Sequence, residues 1–270
     1  MTDRPLALVT GASSGIGEAL VTRLAGDGCD VVAVARRRER LEALAVRLGT
    51  QTGAAVEPLV ADLTDDADVA RLEARLAREP RLDLLVNNAG FPGYGPFAEA
   101  DPDVLRRLLA IHVTTPVRLT RAALPGMLAR GAGAVVNVAS LLSLSGPLQV
   151  RMAGRAAYAA AKSFQLVFIQ SLAQELEGTG VRAMVCLPGM VESEFHGVGW
   201  RPHPGAPPLM SATDVAQAIL AGLAAGEVVC APSLDDADEL FEGLRELQQR
   251  ALSGGNRSGR LADRYRTATS

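Results

Sequence analysis

A phenol and an amine stand four residues apart in "YAAAK", Tyr158 to Lys162, and Lys162 is the single lysine among 27 lysines and arginines. In a helix, an i, i+4 spacing puts both on one face about one turn apart. An ammonium beside a phenol favours the phenolate and lowers its pKa from about 10, towards acid–base work at neutral pH. Lysine suits this task better than arginine, being a compact point charge on a flexible stem that can exchange protons. Ser140 closes the apolar run "AVVNVAS", where its hydroxyl can donate to a substrate oxygen as charge develops there. Ser143 and Ser145 follow closely and read either as rivals for that role or as loop polar groups.

A second chemistry lies at the start of the chain. "LALVTGASSGIGEAL" sets Gly11, Gly15 and Gly17 directly after an apolar strand and at the opening of a helix, the context that a glycine-rich phosphate loop requires. Gly11 permits a tight turn, Gly15 close backbone approach to a pyrophosphate, and Gly17 close helix–strand packing. The helix N-terminus supplies N–H groups and a positive dipole end. Ser13, Ser14 and Ile16 lie in the same loop and belong to the expected dinucleotide site. In such folds the end of the second strand meets the adenosine ribose: an acid bonds the 2'-OH, an arginine accommodates a 2'-phosphate. Here "DVVAVA" runs into Arg36, Arg37 and Arg38; Asp30 is at the strand's start and Glu39 inside the next helix. Arg36, supported by Arg37, therefore predicts NADP(H) in preference to NAD(H). Arg38 and Arg40 read as a solvated helix face.

The elements that must position these groups alternate. Strands are predicted at 6–10, 31–35, 56–60, 82–87, 134–139, 181–187 and 228–230, and helices at 15–27, 38–48, 66–78, 102–129, 156–177 and 213–225. Pro116 is expected to kink the fourth helix, and Ser211 with Asp214 fits an N-cap followed by an acidic first turn. Seven strands with little alternating polarity, separated by helices, imply an α/β fold: a doubly wound, Rossmann-like parallel sheet covered on both faces, three layers deep. Ser140 then lies at the carboxyl edge of the sheet, where such folds bind ligands. One domain is expected over 1–250, with 251–270 a polar, glycine-rich tail that is either loose or packed on a neighbouring subunit.

Composition narrows the partners. The net charge is -3 and the basic residues are scattered, so no nucleic-acid footprint is expected. Cys29, Cys186 and Cys230 are odd in number, far apart and set in apolar runs, which reads as reduced thiols in a cytoplasmic protein. No apolar stretch approaches the roughly 18 to 20 residues of a membrane span, and strand onset at Leu6 leaves no room for a signal peptide. His196 and His203 lack metal-ligand spacing with any cysteine or acid cluster, so no metal site is expected.

The G-x-x-x-G-x-G loop, "NNAG" at 87–90, "NVAS" at 137–140, "YAAAK" at 158–162 and "PGMVES" at 188–193 occur in this order. Together they resemble the classical short-chain dehydrogenase/reductase family across 6–232. The resemblance implies Ser140, Tyr158 and Lys162 as the catalytic residues, with Tyr158 and Lys162 also meeting the cofactor. It further implies Asp62 and Leu63 as an adenine-contacting pair, although Asp62 also fits a helix cap. Asn88, Ala89 and Gly90 are expected beside the cofactor ribose. Pro188, Gly189, Val191 and Ser193 resemble the family's nicotinamide-amide clamp, with serine in place of threonine. The implied reaction adds hydride from NADPH to the carbonyl carbon of a ketone or aldehyde, while Tyr158 protonates its oxygen and Ser140 polarises the bond; the reverse oxidises an alcohol. Helices 102–129 and 156–177 are the family's subunit contacts, so a homodimer or homotetramer is expected.

Two departures stand out. Ser140 and Tyr158 are 18 residues apart, more than is usual in the family, so the substrate loop near "GPLQVRMAGR" is reshaped. "LAIHVTTP" places His112 where the family has an asparagine supporting a water relay to the lysine. His112 either takes over that relay, having a pKa near neutrality, or fills the kink near Pro116. The stretch "FHGVGWRPHPGAPPLM" offers Phe195, Trp200 and Met210 as covers for an apolar substrate; Tyr94 and Phe97 are either pocket or packing residues. A rival reading is an NADP(H)-binding sensor or scaffold without turnover, and a third is an epimerase or dehydratase on the same fold.

Overall fold

The structure is a computed structural model and describes residues 4–148, 154–197, 208–254, 261 and 265. All seven expected strands form: β1 (Leu6–Thr10), β2 (Asp30–Ala35), β3 (Val56–Val60), β4 (Leu82–Asn87), β5 (Gly133–Val138), β6 (Val181–Cys186) and β7 (Val229–Cys230). They pair in parallel in the order β3-β2-β1-β4-β5-β6-β7. Every residue of β1 and β2 is buried, as a sheet covered on both faces demands. The edge strand β3 tolerates Pro58, and its exposed Glu57 is held by Arg75 at 2.6 Å. After β3 the chain returns to the other side of β1 to lay down β4. This reversal opens a crevice at the carboxyl ends of β1 and β4.

Helices α1 (Gly15–Gly26), α2 (Arg38–Thr52) and α3 (Asp66–Leu76) lie within a residue or so of the expected starts. The helix expected over 102–129 is instead three pieces: α4 (Pro102–Leu109), a π-turn (Ala110–Thr114) and α5 (Thr115–Arg130). Pro116 explains the break. It has no N–H to return to the carbonyl of His112, four residues back, and its ring would clash there. The wider turn relieves this and sends the His112 side chain inward, fully buried. Further on come α6 (Ala156–Glu175) and α7 (Ala212–Ala225), the latter capped by Ser211 Oγ, which accepts from Asp214 N at 3.0 Å. Helix α1 packs on α2 and α7, and α3 on α5, completing the layers around the sheet.

Cys186 and Cys230, distant in sequence, are register partners across β6 and β7; all three cysteines are free thiols. Among the described residues no helix is long and apolar enough to cross a membrane. The chain divides into two compact units, up to Ser233 and from Leu234 on. The second unit contains a helix absent from the sequence reading, α8 (Ala237–Gln249), with Asp238 and Glu239 in its first turn and no buried residue. Beyond it, Leu261 and Tyr265 are exposed.

Candidate active site

The cradle forms where β1 ends. Gly11 has φ +70°, and a Cβ there would lie 2.7 Å from Asn88 Nδ2 and 2.9 Å from Ala89 Cα. Gly17 must be bare for another reason: its Cβ would fall 2.2 Å from Gly11 O. Both are therefore dictated by close approach between loop, helix and β4. Thr10, which the sequence reading takes only as a strand end, knits the two motifs together. Its Oγ1 accepts from Asn88 N at 2.9 Å and Ala89 N at 3.1 Å and donates to Val86 O, while Asn88 Nδ2 donates to Thr10 O at 2.8 Å. A β-branched hydroxyl at a strand's carboxyl end, one residue before the glycine loop, was the available signal.

Arg37 reaches back over the cradle, donating to Ser13 Oγ (3.0 Å), Ser13 O (3.1 Å) and Ser14 Oγ (2.7 Å). Its remaining amine pairs with Glu194 at 2.7 Å, and Arg40 grips the same carboxylate at 2.9 Å. Hydrogen bonds from Arg40 and Arg37 hold Glu194 down to about 2. Arg40 is thus a bonded partner of the loop after β6, not only a solvated helix face. Arg36 lines the opening instead. Asp62 takes N–H and O–H from Thr64 at 2.9 and 2.8 Å, and Asp65, not Asp62, caps α3. Burial pushes the Asp62 carboxyl up, but the Thr64 bonds and the charges of Arg36 and Arg107 leave it below the usual carboxylate value.

At the other end of the crevice, Tyr158 is 4% exposed and Lys162 3%. The Tyr158 ring meets Tyr94 edge-on at 5.3 Å, His112 at 5.3 Å and Phe195 at 6.0 Å. Ser140 hydrogen-bonds the phenol, and its Oγ also accepts from Leu142 N at 3.2 Å. Lys162 Nζ lies over the face of the Tyr158 ring, 5.7 Å from its centre, and donates to Val138 O at 2.8 Å. The expectation that the ammonium lowers the phenol's pKa is therefore corrected. Burial raises it well above the tyrosine value, Tyr94 adds to the rise, and only the Ser140 hydrogen bond opposes it. Burial also brings Lys162 down to about 7. A neutral phenol is the form that gives a proton away.

His112 Nε2 is 2.9 Å from Phe91 O, so it carries the hydrogen, and Nδ1 is buried without a partner. Burial and the nearby Lys162 charge hold the ring far below its usual pKa. The side chain contacts Tyr158 but reaches Lys162 through no hydrogen bond of its own. His112→Asn is accordingly expected to leave the rate of any reaction at this site within about threefold, an amide N–H serving Phe91 O. His112→Ala should lose about 2–4 kcal/mol of stability through the cavity and the orphaned carbonyl. Rate–pH profiles decide the relay question: both variants should match the parent in shape, and a displaced limb in either would restore a proton-transfer role to His112.

Ser143 does not line the crevice, and its Oγ has no partner; Ser145 does line it, but its hydroxyl is spent on Leu142 O and Arg155. Arg155 also donates to Ser145 O at 2.9 Å, fastening the lengthened loop from its far end; 149–153 lie outside the described residues. Pro188 O accepts from Leu141 N at 3.0 Å, placing the clamp segment beside Ser140, and Ser193 Oγ accepts from Phe195 N at 3.3 Å. Met210 pairs with Val191 as an isolated parallel bridge. Trp200, His203 and the side chain of His196 lie outside the described residues. Phe97 is 64% exposed and stands away from the crevice, whereas Tyr94 lines it. Every catalytic or cofactor-binding residue expected from the sequence except Gly17 and His112 lines one cavity of about 650 Å³, which runs from the cradle to Tyr158.

The chain matches the short chain dehydrogenase family over residues 5–199. It is 40% identical over 196 residues to a short chain dehydrogenase of Pseudocercospora fijiensis, a match covering 70% of this chain and 60% of that protein. The structure of a short-chain dehydrogenase from Sphingobium yanoikuyae in complex with NADPH superposes with a TM-score of 0.89 at 36% identity, covering 97% of this chain and 100% of that one. The bulky-bulky ketone specific alcohol dehydrogenase from Comamonas testosteroni gives 0.87 at 32% identity, with 98% and 99% covered. Motif order, sheet topology and these likenesses agree: the chain belongs to the short-chain dehydrogenase family of oxidoreductases.

Proposed function

We propose that this protein is an NADP(H)-dependent carbonyl reductase, acting in reverse as an alcohol dehydrogenase. The observation that carries the reading is a continuous cavity with a glycine cradle at one end and the buried Tyr158–Ser140 pair at the other. The cradle fits a dinucleotide, since side chains at Gly11 or Gly15 would collide with Asn88 or press on Ser193. A nicotinamide cofactor bound there supplies hydride. Tyr158 holds the proton that the substrate oxygen takes up, Ser140 donates a hydrogen bond to that oxygen, and Lys162 sits beneath the phenol. Phe91, Tyr94, Leu142, Leu144 and Phe195 make the substrate end apolar, which suits ketones and aldehydes with hydrocarbon substituents, as does the likeness to the Comamonas enzyme.

Following NADPH absorbance against ketones, aldehydes and 3-oxoacyl thioesters tests the assignment. Oxidation by at least one carbonyl class is expected; none across the panel, with NADPH still bound, would instead make the protein a sensor of its cofactor. Preference for NADP(H) rests on Arg36, because Arg37 is committed to Ser13, Ser14 and Glu194. Arg36→Ala is expected to weaken NADPH binding about 10- to 100-fold, as loss of a charge-assisted phosphate contact should, and to leave NADH nearly unchanged. Fluorescence titration with both cofactors checks this; equal losses would remove Arg36 from 2'-phosphate recognition. The reading includes a cytoplasmic location and a homodimer or homotetramer. Phe164 and Val167 leave an apolar stripe of α6 exposed on the single chain.

A further inference from the structure

A buried ammonium needs acceptors, and Lys162 has a second one besides Val138 O: Gln165 Oε1, at 3.5 Å. Gln165 is 2% exposed. It sits three residues further along α6, on the same inward face as Lys162. Its Nε2 donates to His112 O at 2.7 Å, the very carbonyl that Pro116 cannot serve. The orientation of the amide follows from its partners, because an ammonium only donates and a carbonyl only accepts. Oxygen must face Lys162 and nitrogen must face the π-turn. No other proteinogenic side chain of this length offers both an acceptor and a donor. A carboxylate would face His112 O with like polarity, and a hydrocarbon would leave both partners unserved.

We propose that Gln165 is a positioning residue for the proposed reductase reaction, tying Lys162 Nζ to the His112 carbonyl of the π-turn and so holding the amine beneath Tyr158. Proline, π-turn and glutamine form one device: Pro116 opens the helix, the opened carbonyl anchors the amide, and the amide steadies the amine. Without it, Lys162 keeps a single acceptor, and its proton is held less well. The titratable groups facing Lys162 are Tyr158 on its own helix and His112 on the π-turn. Strand β5 presents Val138 O, and the turn after it Ser140, neither of which titrates near neutrality.

The solitary lysine makes a direct test available. Protein labelled with [ε-¹³C]lysine has one lysine resonance, and its titration can be followed by NMR without cofactor or substrate. Gln165→Met, equal in length but without the acceptor, should move the midpoint of that titration down by about one pH unit. Gln165→Glu, which keeps the acceptor and adds a negative charge, should move it up by a similar amount. In turnover assays Gln165→Met should lose about tenfold in kcat with little change in KM. A residue that merely fills space would leave the midpoint where it is in Gln165→Met, whereas the added charge of Gln165→Glu moves it in either case and serves as the control that Lys162 senses this position. An unchanged midpoint in folded Gln165→Met would overturn the proposal, and Gln165→Leu, which also lacks the acceptor, decides it if Gln165→Met does not fold. Since the resonance is read without turnover, a chain that proved to lack reductase activity would not alter this outcome.

Discussion

Tyr158→Phe is expected to reduce the rate of carbonyl reduction by about 10³-fold while the protein stays folded and continues to bind NADPH. The substitution removes one oxygen and keeps the ring, so the edge-on contacts with Tyr94, His112 and Phe195 survive. What disappears is a hydroxyl on the cavity wall that holds its proton firmly at neutral pH and is hydrogen-bonded by Ser140. Proton transfer by a positioned side chain is worth about 10²–10⁴ in rate, and the buried site offers water little chance to substitute. Because burial raises the phenol's pKa, the wild-type reduction rate should also stay level through mildly alkaline pH before any fall due to Tyr158. Single-turnover rates for the parent and the variant are the measurement. A Phe variant retaining more than about a tenth of the rate would take Tyr158 out of proton transfer.

Lys162→Met should show opposite effects on activity and stability. The rate is expected to fall by about 10²-fold or more, whereas the cofactor-free protein should become more stable at pH 7. Lys162 has a pKa of about 7 in the folded chain against 10.5 when exposed. Between those values the unfolded chain binds a proton that the folded chain does not, so folding stability rises with pH across that window. At pH 7 the buried amine thus costs about 4 kcal/mol. Methionine removes that cost but leaves Val138 O and Gln165 Oε1 without their donor, returning about 2 kcal/mol. A net gain of about 2 kcal/mol at pH 7 is expected, vanishing and then reversing towards pH 10.5. Urea unfolding of both proteins at pH 7 and pH 10 checks the sign and its reversal. A variant less stable at both pH values would mean that the amine stabilises the fold as an ion.

Local rules carried much of the reading. The seven strands are legible because runs such as Leu6–Thr10 and Leu82–Asn87 are apolar on both faces and bounded by breakers. The cradle is legible because only glycine can occupy its close approaches. Helix α8 was missed because "ADELFEGLRELQQ" buries nothing and its charges mask the spacing of Leu240, Leu244 and Leu247. Pro116 announced a disturbance, but whether it would kink the helix or widen it into a π-turn depended on what could receive the freed carbonyl. That partner, Gln165, lies 53 residues away. Glu194 was likewise illegible as the partner of Arg37 and Arg40, since sequence separations of 157 and 154 residues carry no trace of the contact.

By itself, then, the sequence determined which residues share a helix face or a strand end, since helical and extended repeats are local and short. Tyr158 and Lys162 were bound to point the same way, and Gly11, Gly15 and Gly17 to allow close backbone approach. Only the tertiary structure decided what those groups experience. The order of strands brought Ser140 and Val138 under α6, and burial, acting from all sides at once, raised the phenol and lowered the amine. A proton's affinity for a site is set by the medium and charges around it, and those are assembled from chain segments that are remote in sequence.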